Sequence, residues 1–283
     1  MNVITHGIRN IIDSHCSAFG SLAGPNTELD ERLQKISNSI NFDISAIENL
    51  QEKSMFMSEA EKCIYGELYA IKQGSKNISL SYGQITKIGA QILSEALITC
   101  ETVTKVDLSN NDIKLEGCEA LSQMLASNTY IRNLRLTNNN LTDKCVKALW
   151  KGLENNINLE TLYLNDNQIT DNGAIAIAKL LSIKDEEGLT SSGISCLYLE
   201  KNLIGEKGAI ALSETLKTTS ILNIIYLNNN CINNKGIIAL CHAIEDNSII
   251  QHCYLFGNEM TKEIQILVKT RLEDRVMMSS SLV

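Results

Sequence analysis

The chain has 283 residues, 44% of them hydrophobic, with a formal net charge of −8 and a sequence pI near 5.1. That length holds one or two domains, and the acidic balance argues against nucleic acid or an anionic membrane as the main partner. No apolar run reaches the roughly 20 residues of a membrane span, the opening MNVITHGIRNIIDSH is broken by His6, Arg9 and Asp13 and so lacks a secretory core, and Asn2 excludes N-myristoylation.

Residues 1–74 show no internal repetition. Ser17–Asn26 reads as a loop, with Gly20, Gly24 and the only proline, Pro25. Thr27–Ile40 reads as a helix with Leu29, Leu33, Ile36 and Ile40 on one face. Ser58–Gln73 reads as a second helix. Ser58 and Glu61 form its capping box, Ile64, Tyr65, Leu68 and Ile71 its apolar stripe, and Gly74 its stop. It stands directly before the first repeat, so it is expected to cap the open edge of a stacked array.

From residue 75 onward the chain repeats. Asn111, Asn139, Asn167, Asn202, Asn230 and Asn258 recur at intervals of 28, 28, 35, 28 and 28 residues. Each ends a stretch of the form LxxLxLxxNxL, such as VTKVDLSNNDI (Val103–Ile113) and LETLYLNDNQI (Leu159–Ile169). The inner LxL steps by two, which is strand periodicity. An Asn side chain offers two donors and an acceptor, so this ladder is expected to satisfy backbone groups in its own turn and the next. A weaker first copy, Asn77–Thr86, carries Gly83 at the Asn position. Helical segments follow the strands, clearest at Asp171–Leu181, Glu206–Leu216 and Asn234–Ile244, with apolar residues at three- and four-residue spacing.

The template resembles the leucine-rich repeat family, and a 28-residue unit with a full helix resembles its ribonuclease-inhibitor-like subfamily. That resemblance implies an α/β fold: a right-handed solenoid of about seven repeats, with a concave parallel sheet and convex helices. The expected organisation is a helical region and cap at 1–74, and repeats with a terminal capping helix at 75–283. Lys262–Arg275 is read as that helix. Seven extra residues fall around Lys184–Gly193, where a tolerated rim insertion is expected. The terminal Ser281-Leu282-Val283 fits a PDZ-ligand pattern but reads as a frayed tail.

The strand template also assigns a concave face. Its central column runs Ser79, Asp107, Arg135, Tyr163, Tyr198, Tyr226, Tyr254, so four of the eight tyrosines share one register. Cys196, Ile224 and His252 flank it on one side, and Asn165, Glu200, Asn228 and Phe256 on the other. Cross-strand aromatic pairs stabilise sheets, and tyrosines also concentrate at interface centres. The expected partner-binding residues are Tyr163, Tyr198, Tyr226, Tyr254, Phe256, Arg135, Glu200 and His252.

No catalytic set emerges. Cys196 and His252 are separated by Ile224, two strand steps or about 10 Å. Cys253 should point into the core, and the chain has no GxxxxGK[ST], HExxH or GxSxG motif. No enzyme activity, metal or cofactor is therefore expected. The nine cysteines form no CxxC pair and read as free thiols of a reducing cytoplasm, the cell's own or a host's. The resemblance implies a protein–protein interaction module; the composition reads as soluble, and the acidic charge predicts no nucleic-acid or membrane partner. The alternative is a regulator of a small GTPase, as some members act on Ran. Short Asn- and Ile-rich arrays of this kind also resemble effectors of intracellular bacteria.

Overall fold

The computed structural model describes residues 59–154, 156–183, 192–272 and 275–277. Several sequence expectations lie outside them: the Ser17–Asn26 loop, the Thr27–Ile40 helix, the Ser58 half of the capping box, most of the insertion (184–191) and the Ser281–Val283 tail.

Each coil opens with a three-residue strand whose middle side chain is buried. Seven such strands follow in chain order: β1 (Asn77–Ser79), β2 (Lys105–Asp107), β3 (Asn133–Arg135), β4 (Thr161–Tyr163), β5 (Cys196–Tyr198), β6 (Ile224–Tyr226) and β7 (His252–Tyr254). They pair in parallel with no crossover, each with the next. The buried middle positions, from Ile78 to Cys253, leave no more than 4% of any side chain exposed. Helix α1 (Glu59–Lys72) precedes β1. After the strands come α2 (Lys87–Leu97), α3 (Lys114–Ser127), α4 (Asp143–Leu153), α5 (Asp171–Leu181), α6 (Glu206–Thr218), α7 (Asn234–Asp246) and α8 (Lys262–Arg271). One apolar core runs between sheet and helices, and α1 joins it through Ile64, Leu68 and Ile71. A packed helix occupies about 10 Å and a strand about 4.8 Å, so the sheet takes the inner side of the arc. The protein is an α/β solenoid, as the repeat predicts.

The turn after each strand sets the register. The residue before the repeated Asn position has positive φ in all seven coils: Tyr82, Asn110, Asn138, Asp166, Lys201, Asn229 and Gly257. Asn, Asp and Gly tolerate that conformation best, and four of the seven are Asn or Asp. The following Asn then holds the turn to its neighbour. Asn167 Nδ2 donates to Leu164 O and Asn165 O in its own coil and to Leu136 O in the previous one, at 3.0–3.1 Å. Its Oδ1 accepts from Asn139 N and Leu141 N, both at 2.9 Å. Asn111, Asn202, Asn230 and Asn258 likewise accept from Ile85 N, Ile169 N, Ile204 N and Ile232 N. Gly83, at the Asn position of the first coil, donates its own N–H to Leu80 O.

One rung is broken. Asn139 Oδ1 is buried without a hydrogen-bond partner. Its expected donor is Ile113 N, in the turn that leads into α3. The neighbouring column explains the break. Three residues after each ladder position stand Thr86, Lys114, Thr142, Thr170, Gly205, Asn233 and Thr261. Six are residues that open helices well, and Asn233 Oδ1 does accept from Lys235 N and Gly236 N. Thr86, Thr142, Gly205 and Thr261 make no side-chain cap bond, yet they keep negative φ; Lys114 does not. It takes φ 59° instead, and the turn that should present Ile113 N is lost.

A second ladder stitches the far ends of the helices. Asn128 Nδ2 donates to Leu97 O and Cys100 O, while its Oδ1 accepts from Tyr130 N and Ile131 N. Asn156 and Asn247 repeat the arrangement, and Thr219 Oγ1 takes the accepting half. The last coil corrects one expectation. The terminal helix stops at Arg271, and the chain returns to add an eighth strand, β8 (Val276–Met277), paired with Cys253 and Tyr254. Arg275 turns its guanidinium onto Asn247 O and Ile250 O, finishing the second ladder where an Asn would otherwise stand.

Replacing Lys114 by Thr should let the backbone leave the positive φ for the negative values that Thr86, Thr142, Thr170 and Thr261 take in the same column. The expected gain is about 1–2 kcal/mol, read as a higher urea midpoint; a lower midpoint would show that the break has another cause.

Candidate functional site

Strand side chains alternate between faces, and the in-register pairing lines up the third residue of each strand on the open side. Tyr163 pairs with Tyr198, Tyr198 with Tyr226, and Tyr226 with Tyr254. The rings lean together until they touch. Successive centroids lie 4.1, 4.2 and 4.1 Å apart, with interplanar angles of 15°, 8° and 6°. At the N-terminal end, the Arg135 guanidinium carbon sits 4.4 Å over the Tyr163 ring, a cation–π cover for that end of the stack. At the other end His252 tilts at 50° to Tyr254, 6.2 Å between centroids.

This geometry refines the expectation of an exposed aromatic patch. The ring faces are spent on one another, and all four tyrosines are half-buried. Side chains stand roughly perpendicular to a sheet, so the solvent meets ring edges and a row of phenol hydroxyls. Burial pushes the Tyr226 phenol up to about 12 and the Tyr198 phenol higher still. Near neutral pH these hydroxyls keep their protons and can donate.

The flanks differ in kind. On one side Cys196, Ile224 and His252 are half-buried, and His252 Nδ1 is buried without a partner. On the other side runs a polar column. Asn165 Nδ2 donates to Glu200 Oε2 at 3.2 Å, Asn228 Nδ2 to Glu200 Oε1 at 2.6 Å, and Phe256 N to Asn228 Oδ1 at 2.8 Å. Both Glu200 oxygens are thus held within the sheet, so Glu200 acts as a brace between neighbouring coils. The Phe256 ring at the column's end is 39% exposed. Toward the N-terminus the face turns polar, with exposed Lys105 and Arg135, and with Asp107 Oδ1 accepting from Ser109 N.

The thiols and imidazoles do not converge. Cys253 lies in the core, and burial raises its thiol well above the ordinary value. Burial also raises Cys196. Cys118 and Cys145, on the packed helices α3 and α4, are buried together, and the hydrogen bond between them followed by burial pushes the Cys118 thiol up. His242 is exposed on α7. Among the described residues no group of three or more His, Cys, Asp or Glu could hold a metal ion, and no helix is long and apolar enough to cross a membrane. The second ladder escaped the sequence reading, and so did the hydrogen bonds that tie together the polar column, whose residues that reading names. Their signals were present: Asn128, Asn156 and Asn247 each follow a ladder Asn by the same interval, and Asn165 and Asn228 share a column.

Comparison with known proteins agrees with the fold. A family described as Leucine Rich repeat matches residues 99–122, 127–149, 155–178 and 222–241. The chain therefore carries leucine-rich repeats. No curated protein matches the sequence. Among solved structures, a protein from Bacteroides fragilis is similar at 14% identity and TM-score 0.47, covering 89% of this chain and 84% of that one. The leiomodin-1 actin-binding site 2 is similar at 15% identity and TM-score 0.34, covering 75% and 88%. At these scores neither likeness bears on function.

A spectroscopic titration should find tyrosines that ionise late. Raised phenol values mean the folded chain holds these protons more tightly than the unfolded chain. Stability from this source is full below about pH 10, the ordinary phenol value, and is lost as pH rises through 12. Tyr226→Phe should remove part of the late phenolate absorbance. A single transition near pH 10 for all tyrosines would contradict the buried stack.

Proposed function

We propose that the chain is a protein-binding module that receives a partner protein on its concave face. The carrying observation is preorganisation. Four rings are locked in one stack before any partner arrives, so little side-chain entropy remains to be lost on docking. The stack supplies a line of donors and acceptors along its hydroxyl edge. Ile224 and Phe256 supply apolar contact beside it, Arg135 a cation at one end, and His252 an imidazole at the other. Glu200 contributes by holding the Asn165–Asn228 column in place. A cytoplasmic setting, of the cell or of a host, suits a chain rich in free thiols. Regulation of a small GTPase is the weaker reading, because no motif around Arg135 is specific to it.

The stack dictates the choice of variant. Alanine at two of these positions would remove ring contacts worth about 0.5–1.5 kcal/mol each and blur binding with folding. The Tyr198→Phe/Tyr226→Phe double variant keeps the rings and deletes only two hydroxyls. An affinity capture comparing it with the wild type should lose the specific partner, with affinity down about tenfold and the melting temperature held. A partner retained at full affinity would place the interface elsewhere.

A further inference from the structure

On the convex side, helices α2 and α3 enclose a groove of about 270 Å³. Gln91, Ser94 and Glu95 line it from α2, and Glu116, Glu119 and Gln123 from α3. Two independent features mark it. The first is its acidity, from Glu95, Glu116 and Glu119. At the Glu116 column the later helices carry Lys144, Asn172, Lys207 and Lys235, and at the Glu119 column Lys147, Ile175, Ile210 and Ile238. The second is Ser94. It is 2% exposed, it lines the groove, and its Oγ is buried with no hydrogen-bond partner. Its counterpart Ser213, at the same place on α6, donates to Ile210 O at 2.7 Å. A buried hydroxyl left open is costly to the fold, and here it belongs to a residue that lines a polar groove.

We propose that this groove binds an arginine side chain of a partner protein. Carboxylate and amide side chains come from both walls, with Ser94 among the lining residues and Glu119 exposed. A guanidinium carries five donors in a planar fork and no acceptor, so it can serve several such groups at once. The volume falls just below the roughly 300–1,000 Å³ of pockets for drug-sized ligands, which suits one long side chain. Lys87 already lies 3.2 Å from Glu116 Oε1 and shows that this carboxylate accepts a cation. The incoming guanidinium lies between Glu119 and Ser94.

The test uses the full chain and a short Gly-Arg-Gly peptide with blocked ends, followed by amide chemical shifts. The peptide should shift Ser94, Ala120 and neighbouring amides in a saturable way, and an otherwise identical citrulline peptide should not. Glu119→Gln, an exposed change that leaves the core alone, should weaken binding at least fivefold. Ser94→Ala should also weaken it while raising the melting temperature by about 2–6 °C, since an unpartnered hydroxyl is removed. Tyr198→Phe/Tyr226→Phe should bind the peptide as the wild type does, which separates this site from the concave face. Equal shifts with citrulline, no shifts along α2 and α3, unchanged affinity in Glu119→Gln, or a lower melting temperature in Ser94→Ala would each overturn the proposal.

Discussion

The structure rests on one interaction: an asparagine amide that serves two coils at once. A three-residue strand cannot hold a register by its own ladder. The Asn after it adds donors to its own turn and to the previous one, and an acceptor for the previous turn's N–H. A coil one residue out of step would leave these buried groups unpaired, at about 1–3 kcal/mol each. Equal spacing of coils is therefore enforced by the turn as much as by the leucines. The 35-residue coil obeys the same rule. Asn202 still reaches Leu164 O and Ile169 N, because the extra residues leave before the strand and not within the turn.

Function follows from that register. Because every coil offers the same numbered residue to the inner face, four tyrosines separated along the chain become one stack with Arg135 as its lid. The stack changes what the surface can do. Its inner ring faces are hidden, its hydroxyls are aligned, and neighbouring rings fix its geometry. The same register builds the Asn165–Glu200–Asn228 column beside it. The two columns together make a stiff wall, polar at its edge, that ends in the exposed Phe256 ring.

Much of this was legible in the sequence, and the gaps have physical reasons. The six Asn positions, the strand residues and the tyrosine column follow from spacing alone, because a repeat maps position to face. Whether neighbouring rings stack or splay depends on side-chain torsions that no spacing encodes. Glu200 reads as a partner-binding residue in the sequence, because spacing does not show that the Asn165 and Asn228 amides reach it from both sides. The Val276–Met277 strand was hidden by its short approach, since the last helix ends at Arg271 and the coil closes early. The broken rung at Asn139 is written in one letter, Lys114 in a column of Thr, Gly and Asn. It becomes visible only when that column is set beside the Asn ladder.

Backbone hydrogen exchange tests the central claim most directly. The amides of Ile85, Leu141, Ile169, Ile204 and Ile232 donate to ladder asparagines, whereas Ile113 has lost its acceptor at Asn139. If the amide ladder governs the register, those five should exchange slowly and Ile113 many-fold faster. Six amides exchanging at one common rate would contradict it.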